Sequence, residues 1–316
     1  MVIRMEATTF MENPLLWALS NFIYSFSNIV TAVIYWNSWL DWITWEKTTS
    51  DKQSLMRFIY YGASKELFFA LTALFTVYTA VAMRYRTLMW KTVSTLEMLA
   101  NSCGRFFAWS GLLMVLIQIL IIFTQRIFAV SEISIGLGIV VSFDVSWWGE
   151  SLKLYNAIII AMCVSYTFVQ GGHVRVDLFY SAARFRTRKL IDMFGCIFFM
   201  LPVSILIWMY SWFFFWRHMI VPKPSASDAL DRLVMKSRAL RWNVETFGFS
   251  PNGFNAYFLF KVLMLGFTAL ILFHSIAFLY RSFLEWREGL SSEGYLLDLD
   301  PKSTDDVLIK NKIGKG

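Results

Sequence analysis

Long apolar runs broken by short polar segments are the dominant pattern along this chain, as in AIIIAMCVSYTFV at 157–169 followed at once by QGGHVRVDLFY at 170–180. A hydrocarbon core about 30 Å thick needs roughly 20 apolar residues in a helix. Scanning for such runs predicts six spans: Leu15–Trp36, Leu67–Met83, Phe106–Thr124, Leu154–Val169, Leu190–Trp216 and Tyr257–Tyr280. The second and fourth are short and need flanking residues to cross. The predicted fold class is therefore an all-α polytopic membrane protein of about six transmembrane helices. The first run is too long for a signal-peptide core and lacks a small-x-small cleavage site before Trp36, so it is expected to be retained. No internal repeat is visible, which argues against an inverted-repeat carrier.

The polar segments carry their own patterns. Gly171 and Gly172 follow the last apolar residues of the fourth run, where glycine can take the left-handed conformation that ends a helix and turns the chain. After them Asp177 suits a helix N-terminus, and Val176, Phe179, Tyr180 and Ala183 form an apolar stripe with Arg175, Arg184 and Arg186 elsewhere. This predicts a short amphipathic helix along the membrane interface, with Arg184, Arg186, Arg188 and Lys189 as candidate contacts to lipid phosphates. Thr187 is the expected N-cap of the next span, with Asp192 early in it. In DALDRLVMKSRAL (228–240), Leu230, Leu233, Val234 and Ser237 share one helical face, suited to a membrane, a partner or the protein's own surface.

Composition strengthens the membrane reading. The 316 residues are 57% hydrophobic, 18% aromatic and only 16% charged, more apolar than a soluble domain needs. The formal net charge of +7 is read as orientation and contact with anionic lipid, not as a nucleic-acid surface. With the N-terminus in the cytoplasm, the inside segments hold Arg4; Arg84, Arg86, Lys91 and Arg105; Arg175, Arg184, Arg186, Arg188 and Lys189; and a basic tail. The outside loop between the third and fourth spans holds only Arg126. Both termini are thus expected inside. The exception is the outer loop 217–256, which carries Lys223, Arg232, Lys236, Arg238 and Arg241.

Candidate chemistry is sparse. Cys103, Cys163 and Cys196 lie in or beside apolar runs without CxxC spacing or neighbouring histidines, and read as small buried hydrophobes. His274 is the one clearly intramembrane titratable residue. Glu150, Lys153, Asp192 and Lys261 sit near span ends, where long side chains reach water. The alternative, a haem-binding or other redox or enzymatic membrane subunit, needs a partner for His274 at its own depth, and His173 and His218 flank spans on opposite sides. No GxSxG, HExxH, P-loop or Rossmann pattern stands in a sensible context. The chain is expected to be no enzyme, with no catalytic residue, metal or cofactor.

One block of residues resembles a known family. A span containing Tyr155 to Tyr166, preceded by Glu150-Ser151, then GGHVRVDLFY, the arginine-rich RFRTRKL and IDMFG, is similar to the small membrane subunits of tripartite ATP-independent periplasmic (TRAP) transporters. RWNVETFGFSPNG before the last span also looks like the family's outer loop. The resemblance covers residues 96–289 and four spans. It implies a non-catalytic permease subunit of the bacterial inner membrane that braces a separate large elevator-type permease subunit, which carries out sodium symport. A periplasmic solute-binding protein would deliver an organic acid or related solute, and anionic lipids would hold the assembly. Gly171, Gly172, His173, Arg175 and Asp177 then form the family motif and interfacial joint, and Glu150 becomes a candidate partner contact. Residues 1–95, with two further spans, are an N-terminal extension outside the four-span pattern. The outer loop 217–256 is longer than the family's, and 290–316 form a polar cytoplasmic tail.

Overall fold

The first span, α1 (Pro14–Ile34), starts on a proline, whose missing N–H costs nothing at the first helical position. It opens a computed structural model that describes residues 13–44, 46, 48–135, 141–171, 180, 183–243 and 257–295. The protein is all-α, and among the described residues six helices are long and apolar enough to cross a membrane. After α1 come α2 (Asn37–Leu40), α3 (Thr49–Tyr61), α4 (Lys65–Arg84) and α5 (Arg86–Ile122). An antiparallel hairpin, β1 (Glu132–Ile135) and β2 (Val141–Asp144), leads to α6 (Val145–Val169). Next are α7 (Phe185–Gly195), a π-helical turn (Cys196–Met200) and α8 (Leu201–Met219). β3 (Ile220–Val221) pairs with β4 (Arg241–Trp242) across α9 (Leu230–Lys236), and α10 (Tyr257–Glu288) is the last span. Contacts divide the described residues into two compact units, Met1–Tyr85 with Trp208–Thr246, and Arg86–Ile207 with Phe247–Gly316.

In the first unit α1 packs along α4, with Trp17 edge-on to Phe69 at 5.6 Å. The helix α3 was not expected from the apolar runs, because it is amphipathic and too polar to span. Its start is a capping box: the Asp51 N–H donates to the Thr48 hydroxyl and the Thr48 N–H to the Asp51 carboxylate, each at 3.2 Å. Its apolar face, Leu55, Met56 and Ile59, forms a core with Trp216, Ile220 and Leu233. Two indoles satisfy carbonyls that its C-terminal end leaves open. Trp212 donates to the Ile59 carbonyl at 2.9 Å and Trp208 to the Gly62 carbonyl at 3.2 Å.

The predicted amphipathic stripe of 228–240 folds onto this core. Leu233 and Ser237 are fully buried, Leu230 and Val234 half-buried, and α9 packs against α3. Of the surfaces left open by the sequence, it is the protein's own that receives them. Asp228 anchors this loop, accepting from the Ser225 N–H at 3.2 Å and from the Lys236 ammonium. Burial pushes the Asp228 pKa up. The hydrogen bond and charge of Lys236, the Ser225 amide and the Arg232 charge outweigh it, so the carboxyl titrates below its usual value. A depressed carboxylate pKa stabilises the fold above the unfolded value and loses that effect as pH falls through the folded one. We therefore expect the loop to loosen below about pH 4, measured as faster amide exchange over 230–240 after correction for intrinsic rates. Asp228→Asn should exchange rapidly on both sides of that pH.

In the second unit α5 and α6 pack face to face, and α10 lies against α5, α6 and α7. Asp144 caps α6, accepting from the Ser146 N–H at 2.7 Å. Met162, Leu263 and Leu270 form its apolar core, ringed by Cys103, Phe107, Leu154, Ala157, Ile158 and Ala161. Cys163 and Cys196 are packed thiols: the first reaches the Gly104 carbonyl at 3.4 Å, the second the Ser275 carbonyl at 3.2 Å. α10 is the most enclosed span, with 33% of its apolar window buried against 6% for α1.

Two boundaries differ from the sequence reading in an informative way. α5 begins at Arg86 rather than Phe106, because 86–105 is a helix with charged residues on it and so is no apolar run. The buried positions Met89, Trp90, Val93, Glu97, Ala100, Asn101 and Gly104 recur at helical spacing there. α10 likewise runs on past Tyr280 to Glu288. Both extensions carry the charges described next.

Candidate functional site

A closed network of charged side chains joins the polar ends of α5, α7 and α10. The extension of α5 supplies Arg86, Trp90 and Glu97. The last turns of α10 supply Arg281, Glu285 and Glu288. At its centre Arg281 grips Glu97 with two parallel hydrogen bonds, Nε to Oε1 and Nη2 to Oε2, both 2.6 Å. This fork-to-fork pairing is the strongest geometry open to the two groups. Both side chains are at most 10% exposed.

The other terminal nitrogen of Arg281 is also engaged. Its Nη1 donates to the Tyr295 carbonyl at 3.1 Å and lies 3.5 Å from Glu285 Oε1, one helical turn on. Its guanidinium stands over the Trp90 ring at 5.4 Å, and Tyr295 meets that ring edge-on at 5.0 Å. Glu285 takes a second cation, the Lys189 ammonium of α7, at 2.6 Å. On the rim, Glu288 accepts from Arg86 at 2.7 Å and from the Trp90 indole at 3.3 Å. Three cations, Arg86, Lys189 and Arg281, thus meet three anions, Glu97, Glu285 and Glu288. The arrangement is charge-balanced, and it ties three helices together.

The sequence-predicted residues fall partly elsewhere. Gly171 stands where expected: its N–H donates to the Phe168 carbonyl at 3.1 Å, its φ is +71°, and α6 ends there. Gly172, His173, Arg175 and Asp177 lie outside the described residues, as does the proposed interfacial helix apart from Tyr180 and Ala183. Thr187 is not an N-cap. The helix starts at Phe185 with Arg184 in the cap position, because nothing in FRTRKL interrupts helical geometry, and Thr187 lies inside the first turn. Asp192 accepts the Tyr180 hydroxyl at 2.7 Å. Glu150 lies within α6 rather than ahead of it, half-buried in the second turn, since the cap is Asp144.

The four candidate phosphate contacts separate by environment. Arg184 and Arg186 are exposed, while the Arg188 guanidinium lies over the Tyr180 and Phe185 rings at 5.9 and 6.0 Å. Lys189 is turned to Glu285 and is only 16% exposed. His274 is buried between Phe168 and Phe278, with ring centroids at 5.5 and 6.2 Å. Among the described residues no group of three or more His, Cys, Asp or Glu side chains is placed to hold a metal ion.

The chain matches no family model, no curated protein and no solved structure. The site must therefore be read from its own geometry. Sequence reasoning missed Glu97, Arg281 and Glu285 because it looked for ionisable residues inside apolar runs, and these stand on helical extensions beyond them. A usable signal was present: Arg281 and Glu285 are four apart, and Glu97 falls on the buried stripe that starts at Met89.

Proposed function

We propose that this protein is a non-catalytic scaffold subunit of a TRAP-type secondary transporter, bracing a large permease subunit in the bacterial inner membrane. The large subunit carries out sodium-coupled uptake of an organic acid or related solute delivered by a periplasmic binding protein. Both termini of the scaffold are cytoplasmic. The observation that carries this reading is the Glu97–Arg281–Glu285–Lys189 network. It uses its buried charges on one another across three helices, which suits a rigid brace rather than a site that must exchange a charged solute. The apolar faces of the spans add support. Phe106, Trp109, Phe199 and Leu206 are each more than 60% exposed, as expected of helices completed by lipid or another membrane chain.

The test is assembly. The tagged protein should co-purify with a larger multi-span chain, and that complex, with its binding protein, should drive sodium-dependent uptake in liposomes. Sodium-driven uptake by the purified chain alone would refute the reading. Replacing Arg175 and Asp177 together by alanine should abolish or destabilise the complex, and unchanged assembly and transport would remove the joint from the mechanism.

A further inference from the structure

Within the N-terminal unit, a cavity of about 280 Å³ lies beside α3, lined by Trp42, Asp51, Lys52, Leu55, Ile220, Leu240, Arg241 and Trp242. Its walls are apolar: two indoles face it together with Leu55, Ile220 and Leu240. Its volume falls just below the roughly 300–1,000 Å³ of sites that enclose a whole drug-sized ligand. It has room for one end of an acyl chain and leaves any headgroup outside.

The charged part of the lining is mostly cationic. Asp51 contributes one carboxylate, but that group is engaged at the N-terminus of α3, accepting from the Thr48 N–H at 3.2 Å. Against it stand Lys52 and Arg241, and among the described residues neither is in an ion pair. An apolar slot whose lining includes two cations with no ion pair among the described residues complements an amphiphile with an anionic head.

The position of the slot says where such a molecule comes from. Ile220 directly follows the end of α8, and Trp42 lies one short turn beyond α2, which follows α1. The site thus lies just past the ends of two spans. Trp39, Trp42, Trp212, Trp216 and Trp242 gather there, the residue type that concentrates at the level of lipid headgroups. We propose that this slot binds one anionic phospholipid of the adjacent leaflet. Its acyl chain lies against Trp42, Leu55, Leu240 and Trp242, and its phosphate sits between Lys52 and Arg241.

The experiment uses the full chain, in whatever complex it purifies, in nanodiscs of phosphatidylglycerol or phosphatidylcholine. Phospholipid retained per chain is read by native mass spectrometry after detergent transfer. The wild-type protein should keep one more phosphatidylglycerol than phosphatidylcholine. Replacing Lys52→Gln and Arg241→Gln together should weaken that extra binding about thirtyfold, the effect of removing two interfacial cations. The exchange Lys52→Arg with Arg241→Lys should preserve it. Trp242→Ala, at a side chain already 40% exposed, tests the apolar wall without disturbing the core and should also lose the extra lipid. Unchanged phosphatidylglycerol retention in the glutamine pair or in Trp242→Ala overturns the proposal. So does displacement of the bound phospholipid by an equal concentration of laurate, which would make the ligand a free acyl anion.

Discussion

Replacing Glu97 by alanine should destabilise the second unit by about 3–5 kcal/mol, because it leaves the buried Arg281 guanidinium without its bidentate partner. Glu285 cannot compensate. It sits 3.5 Å from Arg281 and is already held by Lys189 at 2.6 Å. The double substitution Glu97→Leu with Arg281→Leu should recover most of the loss, since two apolar side chains of similar bulk carry no desolvation penalty. Thermal unfolding in detergent separates the cases: a single variant far below wild type, and a double variant near it. The rim pair Arg86–Glu288 provides the internal control. Arg86 is 65% exposed, so Arg86→Ala should cost no more than about 1 kcal/mol. If Glu97→Ala cost as little, the network would be solvated, and its role as a brace would fall with it.

The second large effect concerns a close approach of α5 to α6 at Gly104. A Cβ added at Gly104 would lie 2.2 Å from the Tyr166 Cβ and 2.7 Å from its Cγ. The Tyr166 Cβ is fixed to the α6 backbone and cannot rotate away, so the two helices must separate. The Cys163 contact to the Gly104 carbonyl would be lost as well. Overpacking of this kind costs about 1–3 kcal/mol, partly offset by about 1 kcal/mol of helix propensity gained on replacing glycine by alanine. Gly104→Leu, with a larger side chain to place, should cost about 3 kcal/mol or prevent folding.

Gly266→Ala is the matched comparison. Its nearest neighbour would be the Met162 Cε at 2.5 Å, the free end of a flexible side chain, with the sulfur at 3.6 Å. That methyl can swing aside, so this substitution should be neutral or mildly stabilising. Equal melting temperatures for Gly104→Ala and Gly266→Ala would show that the α5–α6 contact is looser than described.

Both predictions rest on places where apolar content alone was uninformative. Glu97 stands in MWKTVSTLEMLANSCGR, a segment with a lysine, a glutamate and an arginine, which a search for apolar runs passes over. Its buried stripe at three- and four-residue spacing marks it as helix, but that stripe does not say that Arg281, 184 residues later, supplies the countercharge. Gly104 is similar. A glycine in a helix invites the suspicion of close packing, and only the position of Tyr166 turns that suspicion into a clash. α3 was hidden for a third reason: its capping box TTSD is legible, but its partners come from α8 and from the loop after it.

By itself the sequence determined that this is an all-α membrane protein and located the six described helices that are long and apolar enough to span, because apolar length is a local property that each run declares alone. It also located the end of α6 at Gly171, since a positive φ is a demand that glycine meets within its own residue. It predicted the stripe on 228–240 but left open what that stripe would face. The tertiary structure alone decided that it faces α3, that Lys189 turns to Glu285, and that Arg281 closes on Glu97. An ion pair or a close approach needs two distant segments at one point in space, and no local pattern specifies the second.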